Sequence, residues 1–181
     1  MASAFTHLLV GGALAGLGSR GVPGPRLAVV LGLLAVLPDA DVIAFGFGIP
    51  YEHVLGHRGL SHSLAFAGLC GLFTPLLARQ SLLPDGARWW RTASLGATAT
   101  ASHGVLDAMT NGGLGVAFLA PFSGARFFLP WRPLQVSPLS AQAFFTATGA
   151  RVLASEIVWV WIPVFAFASV AFLTRHRRGS R

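Results

Sequence analysis

The sequence predicts an all-α fold, a polytopic bundle of membrane helices that forms a single domain over residues 1–181. Two observations predict it. Hydrophobic residues make up 54% of the 181 positions, and charged residues make up only 10%, whereas soluble domains carry about 25% charged residues. So few charges do not cover the surface of a soluble globule, and so apolar a composition also excludes a disordered chain.

Five apolar stretches approach the roughly 20 residues that a helix needs to cross a bilayer. They are Ala2–Gly18, Leu27–Gly48, Ser61–Ala78, Thr92–Thr110 and Val152–Leu173. The fourth stretch is rich in alanine, glycine, serine and threonine, which allow membrane helices to pack closely. We therefore expect about five membrane segments.

Residues 111–150 differ from these stretches, because they are apolar but too rich in proline for a straight helix. Four prolines interrupt the segment, namely Pro121, Pro130, Pro133 and Pro138. Its aromatic residues alternate with arginines: Phe122, Arg126, Phe127, Phe128, Trp131 and Arg132. Aromatic and arginine side chains settle where the bilayer meets water. The segment is therefore predicted to form a cap that lies in the membrane interface.

The basic residues predict an orientation. All 13 of them are arginines, and against six acids they give a net charge of +7. They are scattered in short segments without a basic stripe, so nucleic acid is not an expected partner. With the N-terminus outside and five spans, nine arginines are cytoplasmic and four are outside, as the positive-inside rule favours. Residues 174–181 then form a basic cytoplasmic tail of a protein in the bacterial cytoplasmic (inner) membrane.

Ionisable side chains within or beside the apolar stretches are the candidate functional residues, since a charge at a helix centre costs roughly 2.5–3.5 kcal/mol. In the predicted topology, eight of them meet at the outer ends of the segments: His7, Asp39, Asp41, His57, His62, His103, Asp107 and Glu156. A divalent cation relieves the repulsion between clustered carboxylates and takes neutral imidazoles as ligands. The set predicts a metal site that faces outside, with zinc favoured and manganese or magnesium as alternatives.

The spacing of the aspartates and of His103 supports the metal site. His103 and Asp107 are four residues apart, so they lie on one face of a helix. Asp39 and Asp41 are two residues apart and do not share a helix face. Pro38 predicts an irregular break at which both can turn inward, and such a break at membrane depth must face protein or water.

The segment from His57 to His62 is predicted to be a loop that enters a helix. Gly59 is expected to supply the turn, and Ser61 is expected to cap the helix that follows. Both histidines then lie at the start of the third stretch, on the same side of the membrane as Asp39.

The candidate roles follow from the chemistry of these groups. Asp39 or Asp41 either bridges two ions or acts as general base, and the sequence does not separate these roles. Arg58, Arg126 and Arg132 are the candidates for binding an anionic head group, since a guanidinium grips phosphate through two hydrogen bonds. For Arg126 and Arg132, anchoring in the interface is the favoured alternative.

The order of three motifs resembles that in the YdjM-like membrane-bound predicted metal-dependent hydrolases of bacteria. The motifs are Leu37–Asp41, His57–Ser63 and Ser102–Asp107, and the likeness covers residues 1–140. This family is itself distantly similar to the zinc-dependent phospholipase C and S1/P1 nuclease group. The resemblance implies a helical, phosphoesterase-like hydrolase with clustered histidine and aspartate ligands, and it supplies no substrate.

The expected function is metal-dependent hydrolysis of a phosphoester or lipid head group, in which the metal ion activates a water molecule. The expected partner is a membrane lipid or a lipid-linked substrate. Two other classes use the same ligands: a transporter that handles metal ions or protons, and a structural membrane protein with a metal staple. Five spans without an inverted repeat disfavour a transporter. The sequence indicates no oligomeric state.

Overall fold

The structure, a computed structural model, describes residues 1–17, 24–78 and 86–179. Seven α-helices lie within these ranges: α1 (Ala4–Leu14), α2 (Gly24–Val36), α3 (Leu64–Leu77), α4 (Gly86–Ala108), α5 (Ala141–Phe144), α6 (Ala147–Glu156) and α7 (Ile162–Gly179). The same ranges contain no β-strand, only two isolated β-bridges within residues 110–134. The all-α prediction is confirmed.

Two of the long helices include a segment that is not regular α-helix. The chain leaves α2 as a 3₁₀ segment, Leu37–Phe47, with a proline at its second position. A proline has no N–H to continue the α-helical hydrogen bonds, and this explains why α2 ends at Val36. α6 and α7 are joined by a π-helical turn, Ile157–Trp161. The result is two long apolar helices, Gly24–Phe47 and Ala147–Ala171.

The predicted number of five spans is not supported. Among the described residues, only the two long helices just named are both long and apolar enough to cross a membrane. α1 and α3 have 11 and 14 residues, which at about 1.5 Å per residue fall short of a hydrocarbon core of about 30 Å. α4 has 23 residues, but its many threonine, serine, glycine and alanine residues leave it less apolar than the two long helices.

The first four helices form a bundle in which α1 packs on α2, α3 packs on α4, and α2 packs on α4. Leu27, Leu31 and Ala35 of α2 and Ala99 of α4 are buried in its core. The start of α1, the 3₁₀ segment after α2, the start of α3 and the end of α4 come together at one end of this bundle. That end carries the candidate site.

The segment after α4 has no helix between residues 109 and 140, and its location in the membrane interface stays a prediction. It is attached to the bundle by backbone hydrogen bonds, in which Ala117 donates to Arg58 and Leu129 donates to Ala108. The irregular stretch ends earlier than the predicted residue 150, because Ser140 and Thr146 cap α5 and α6.

Several residues on which the predicted topology depends lie outside the described ranges. Arg20, Arg79 and Arg181, as well as Gly18 at the end of the first predicted stretch, lie outside the described residues. The predicted orientation, with a cytoplasmic tail, stays a prediction.

The contact between α3 and α4 yields a stability prediction. A Cβ atom at Gly96 would overlap the side chain of Thr74, whereas one at Gly68 would meet nothing within 4 Å. We expect Gly96→Ala to lower the free energy of unfolding by about 1–3 kcal/mol. Gly68→Ala is the control and should be neutral or slightly stabilising, since alanine is the better helix former. Thermal unfolding of the detergent-solubilised protein measures both, and equal stability of the two variants would contradict the prediction.

Candidate metal centre

Four side chains from three elements meet at the end of the bundle. Asp39 comes from the 3₁₀ segment, His62 from the short turn before α3, and His103 and Asp107 from successive turns of α4. One nitrogen or oxygen atom of each lies within 4.8 Å of the others. The Nε2 atom of His103 is 3.0 Å from Nε2 of His62 and 3.3 Å from an oxygen of Asp39, and Nε2 of His62 is 3.7 Å from an oxygen of Asp107.

The hydrogen bonds of the two histidines determine which nitrogen is free. Nδ1 of His103 lies 2.7 Å from the carbonyl oxygen of Ala35. Nδ1 of His62 lies 3.0 Å from the Ser61 hydroxyl and 3.1 Å from a carboxylate oxygen of Asp41. The Ser61 hydroxyl donates its own hydrogen to Asp41, so all three oxygens act as acceptors here and each Nδ1 carries the hydrogen. In the neutral rings both Nε2 atoms therefore carry lone pairs, and these atoms face each other at 3.0 Å.

The carboxylate of Asp39 and the imidazole of His7 are buried without hydrogen bonds. Both oxygens of Asp39 and both nitrogens of His7 lack a partner among the described residues. A proton shared between His62 and His103 would satisfy those two rings, but it would leave Asp39 unpaired. A buried carboxylate without donors is strongly unfavourable, whereas a cation bound between the four side chains satisfies Asp39 and both Nε2 atoms. The donor set therefore fits a divalent metal ion with nitrogen and oxygen ligands.

Asp41 contacts a second group of side chains. One of its oxygens is 2.7 Å from Nδ1 of His57. The other accepts hydrogen bonds from the Ser61 hydroxyl at 2.6 Å and from the backbone N–H of Arg58 at 3.1 Å, and it also lies beside Nδ1 of His62. Ser61 was predicted to cap α3, but Ser63 caps it instead, and the Ser61 hydroxyl is directed to Asp41.

Arg58 is fully buried and binds protein atoms. Its Nε donates to Asp107 at 3.0 Å, and its two terminal nitrogens donate to the carbonyl of Gly112 and the hydroxyl of Thr110. Arg58 also has a φ of 61°, so the left-handed residue of the turn that was predicted around Gly59 is Arg58. Gly59 is needed instead for space, since a Cβ there would collide with the carbonyl of Val54. The geometry favours a structural role for Arg58 in holding Asp107.

The other two candidate arginines lie in the cap. Arg126 donates to the backbone carbonyls of His57 and Tyr51 at 3.0 Å, so it holds the loop that carries His57. Arg132 is exposed, and its guanidinium lies 4.7 Å from the ring centroid of Phe128. Tyr51 packs edge-on against the His57 ring, and burial raises the pKa of its hydroxyl. Of the three arginines, Arg132 is the one whose geometry leaves it available to a ligand.

The remaining two predicted ligands lie at the edge of the site. His7 stacks on His103 with ring centroids 3.7 Å apart, and its Nε2 is 3.5 Å from Asp107. Glu156 is fully buried, but its carboxylate accepts hydrogen bonds from Ser3 and Thr6, and neither group of candidate ligands includes it.

Of the eight predicted ligands, the structure brings Asp39, His62, His103 and Asp107 into one group and Asp41 and His57 into contact with it. Sequence reasoning missed the Ala35 carbonyl and Tyr51. No sequence signal identifies a helix carbonyl that accepts from a distant histidine. Tyr51 carried a weak signal as the one tyrosine in the chain, six residues before His57.

The fold and the site define an all-helical membrane protein with a buried histidine and aspartate cluster able to hold a metal ion. The chain belongs to the YdjM inner membrane protein family, whose match spans residues 1–179. Over 148 residues it is 42% identical to the inner membrane protein YbcI of Escherichia coli (strain K12), covering 82% of this chain and 83% of that protein. Both names support the bacterial inner membrane as its location. No solved structure matches the chain significantly.

Proposed function

We propose that this protein is a membrane-embedded, metal-dependent hydrolase that acts on a phosphoester, with a lipid head group as the preferred substrate. The observation that supports this proposal is the pair of facing Nε2 atoms, 3.0 Å apart, beside the unpaired carboxylate of Asp39. Two imidazoles and two carboxylates are ligands that zinc accepts readily, and manganese or magnesium is the alternative.

His62, His103, Asp39 and Asp107 would hold the ion, and His7 is near enough to Asp107 to join or orient them. A bound divalent ion supplies an activated water and a positive charge for the oxygen that leaves or is attacked. Neither oxygen of Asp39 receives a hydrogen bond from the described residues, whereas both oxygens of Asp41 do. Asp39 therefore has a free lone pair with which to accept a proton from water, and we assign it the general base role.

The cap supports a substrate drawn from the bilayer. Phe122 is 89% exposed and Trp131 is 55% exposed, and Trp131 packs edge-on against Trp159 of the long C-terminal helix. Exposed aromatic residues beside a membrane helix rest at the boundary between head groups and acyl chains. Arg132 lies in the same stretch, where it would meet lipid phosphates.

The test compares substrates and metals on the purified protein. Metal content is measured by mass spectrometry, and hydrolysis is measured on phospholipid head groups in vesicles and on p-nitrophenyl phosphate in solution. We expect bound divalent metal and faster turnover on vesicles. Bound metal without hydrolysis of either substrate would favour a metal staple, and metal uptake into vesicles without hydrolysis would favour a transporter. Either result overturns the proposal.

Arg132 yields a kinetic prediction for the same assay. A head-group contact acts equally in the ground and transition states, so its loss raises KM and leaves kcat unchanged. We expect Arg132→Ala to raise KM on lipid vesicles roughly 10-fold, the effect of losing one charge-assisted hydrogen bond. The control is Arg151→Ala, an exposed arginine on α6. An unchanged KM for Arg132→Ala would remove Arg132 from the substrate site.

A further inference from the structure

Asp41 is an aspartate whose hydrogen-bonding capacity is already filled by protein. Its two oxygens accept hydrogen bonds from Nδ1 of His57, the Ser61 hydroxyl and the backbone N–H of Arg58. Nδ1 of His62 lies 3.1 Å from one of these oxygens and 3.0 Å from the Ser61 hydroxyl that Asp41 orients. Asp39, two residues earlier, receives no hydrogen bond on either oxygen. The two aspartates of one motif therefore have opposite environments.

The 3₁₀ geometry explains how both aspartates reach His62. In an α-helix, residues two apart point in nearly opposite directions, about 160° apart. In a 3₁₀ helix, with three residues per turn, the same residues are only about 120° apart. Asp39 can then approach His62 from its Nε2 side at 3.8 Å, while Asp41 lies against its Nδ1 side at 3.1 Å.

The charge of the site favours one divalent ion over two. With neutral imidazoles, Asp39, Asp41 and Asp107 oppose the single guanidinium of Arg58, which leaves a charge of −2 on the side chains. The α-amino group of Met1, 3.9 Å from Asp107, reduces this to −1 when it is protonated. One divalent cation approximately neutralises either charge, whereas two would leave a buried excess of +2 or more.

We propose that Asp41 is a positioning residue and not a metal ligand: it fixes the hydrogen on Nδ1 of His62, and thereby directs Nε2 of His62 at a single divalent ion shared with Asp39, His103 and Asp107. This inference rests on the proposed function. It assigns the neighbouring group of Asp41, His57 and His62 to the support of one metal site and not to a second site. Carboxylates that hold a metal-binding histidine in this way are a general feature of metal sites.

The test measures zinc affinity, zinc stoichiometry and the absorption spectrum of the cobalt-loaded protein. Asp41→Asn keeps the shape of the side chain but replaces one accepting oxygen with an NH₂ group. This group faces the donors that surround Asp41, so the variant disturbs the contact with Nδ1–H of His62. We expect zinc affinity to fall about 10–100-fold, with one zinc per chain at saturation and an unchanged cobalt spectrum. Asp39→Asn should alter the cobalt spectrum, because it changes a ligand. Glu52→Gln, in an exposed loop, is the control for both.

A second variant, His57→Ala, tests the inference even if Asp41→Asn does not fold. We expect the wild-type protein to bind one zinc per chain and His57→Ala to bind one as well. Two ions in the wild type and one in His57→Ala would overturn the inference. An unchanged affinity in Asp41→Asn, or a cobalt spectrum altered as in Asp39→Asn, would also overturn it. These results leave the proposed function intact, whereas a wild-type protein that binds no divalent metal overturns both.

Discussion

Replacing Asp39 with alanine is expected to abolish hydrolysis and to weaken metal binding more than roughly 100-fold. Loss of a residue that only orients a metal ligand weakens binding by up to about 100-fold, and Asp39 is proposed to be a ligand itself. Both Asp39 oxygens are buried without hydrogen bonds, and one lies 3.3 Å from Nε2 of His103. The same environment makes Asp39 unfavourable when no metal is bound, since an unpaired carboxylate near Asp107 is desolvated and repelled. The metal-free variant should therefore be at least as stable as the metal-free wild type.

Three measurements together identify the role of Asp39. Metal content and hydrolysis are measured on the purified variant, and thermal unfolding is measured after treatment with a chelator. Glu52→Ala, which changes an exposed acid, is the matched control and should leave all three unchanged. A variant that loses stability in the metal-free state, while keeping metal and activity, would show that Asp39 has a structural role and no role in the site.

Replacing Arg58 with methionine is expected to lower the free energy of unfolding by about 3–5 kcal/mol, because it removes the guanidinium that lies 3.0 Å from the buried carboxylate of Asp107. The guanidinium is fully buried and also holds Thr110 and Gly112, where the cap begins. Methionine has a similar length and apolar volume, so the loss reports the charge and the hydrogen bonds more than packing.

The control for this prediction is Arg132→Met, the same change at an exposed arginine, which should shift stability by no more than about 0.5 kcal/mol. Denaturant unfolding in detergent micelles measures both variants. If Arg58→Met unfolds like the wild type and raises KM instead, Arg58 binds substrate, as its motif first suggested, and the structural interpretation is wrong.

Much of the site could be predicted because its residues follow local rules. The spacing of His103 and Asp107 places both on one face of any helix that contains them. Pro38 lacks the N–H that would continue the α-helix before it, which favours a break at that point. Asp39, His62 and His103 are ionisable residues within or beside apolar stretches. Such groups are expensive to bury alone, so the sequence predicted that they lie together in one site. The structure brings these residues together at one end of the bundle.

The rest depends on contacts between distant parts of the chain. The sequence did not distinguish Asp39 from Asp41, because that difference arises from which side of His62 each one faces in a 3₁₀ geometry. Nor did it show that Arg126 holds the carbonyls of the His57 loop. The five predicted spans are not supported among the described residues, because apolarity alone does not reveal where helices stop, and α1 has only 11 residues.

Glu156 joins α6 to the start of α1 and so bears on the order in which the fold forms during biosynthesis. It accepts hydrogen bonds from Ser3 and Thr6, 153 and 150 residues earlier, beside the indole N–H of Trp161. At roughly 5–20 residues per second, about 8–30 s separate translation of Thr6 from that of Glu156. Throughout this interval the first turn of α1 lacks its final partner. The start of α1 is therefore completed only after Glu156 has been synthesised.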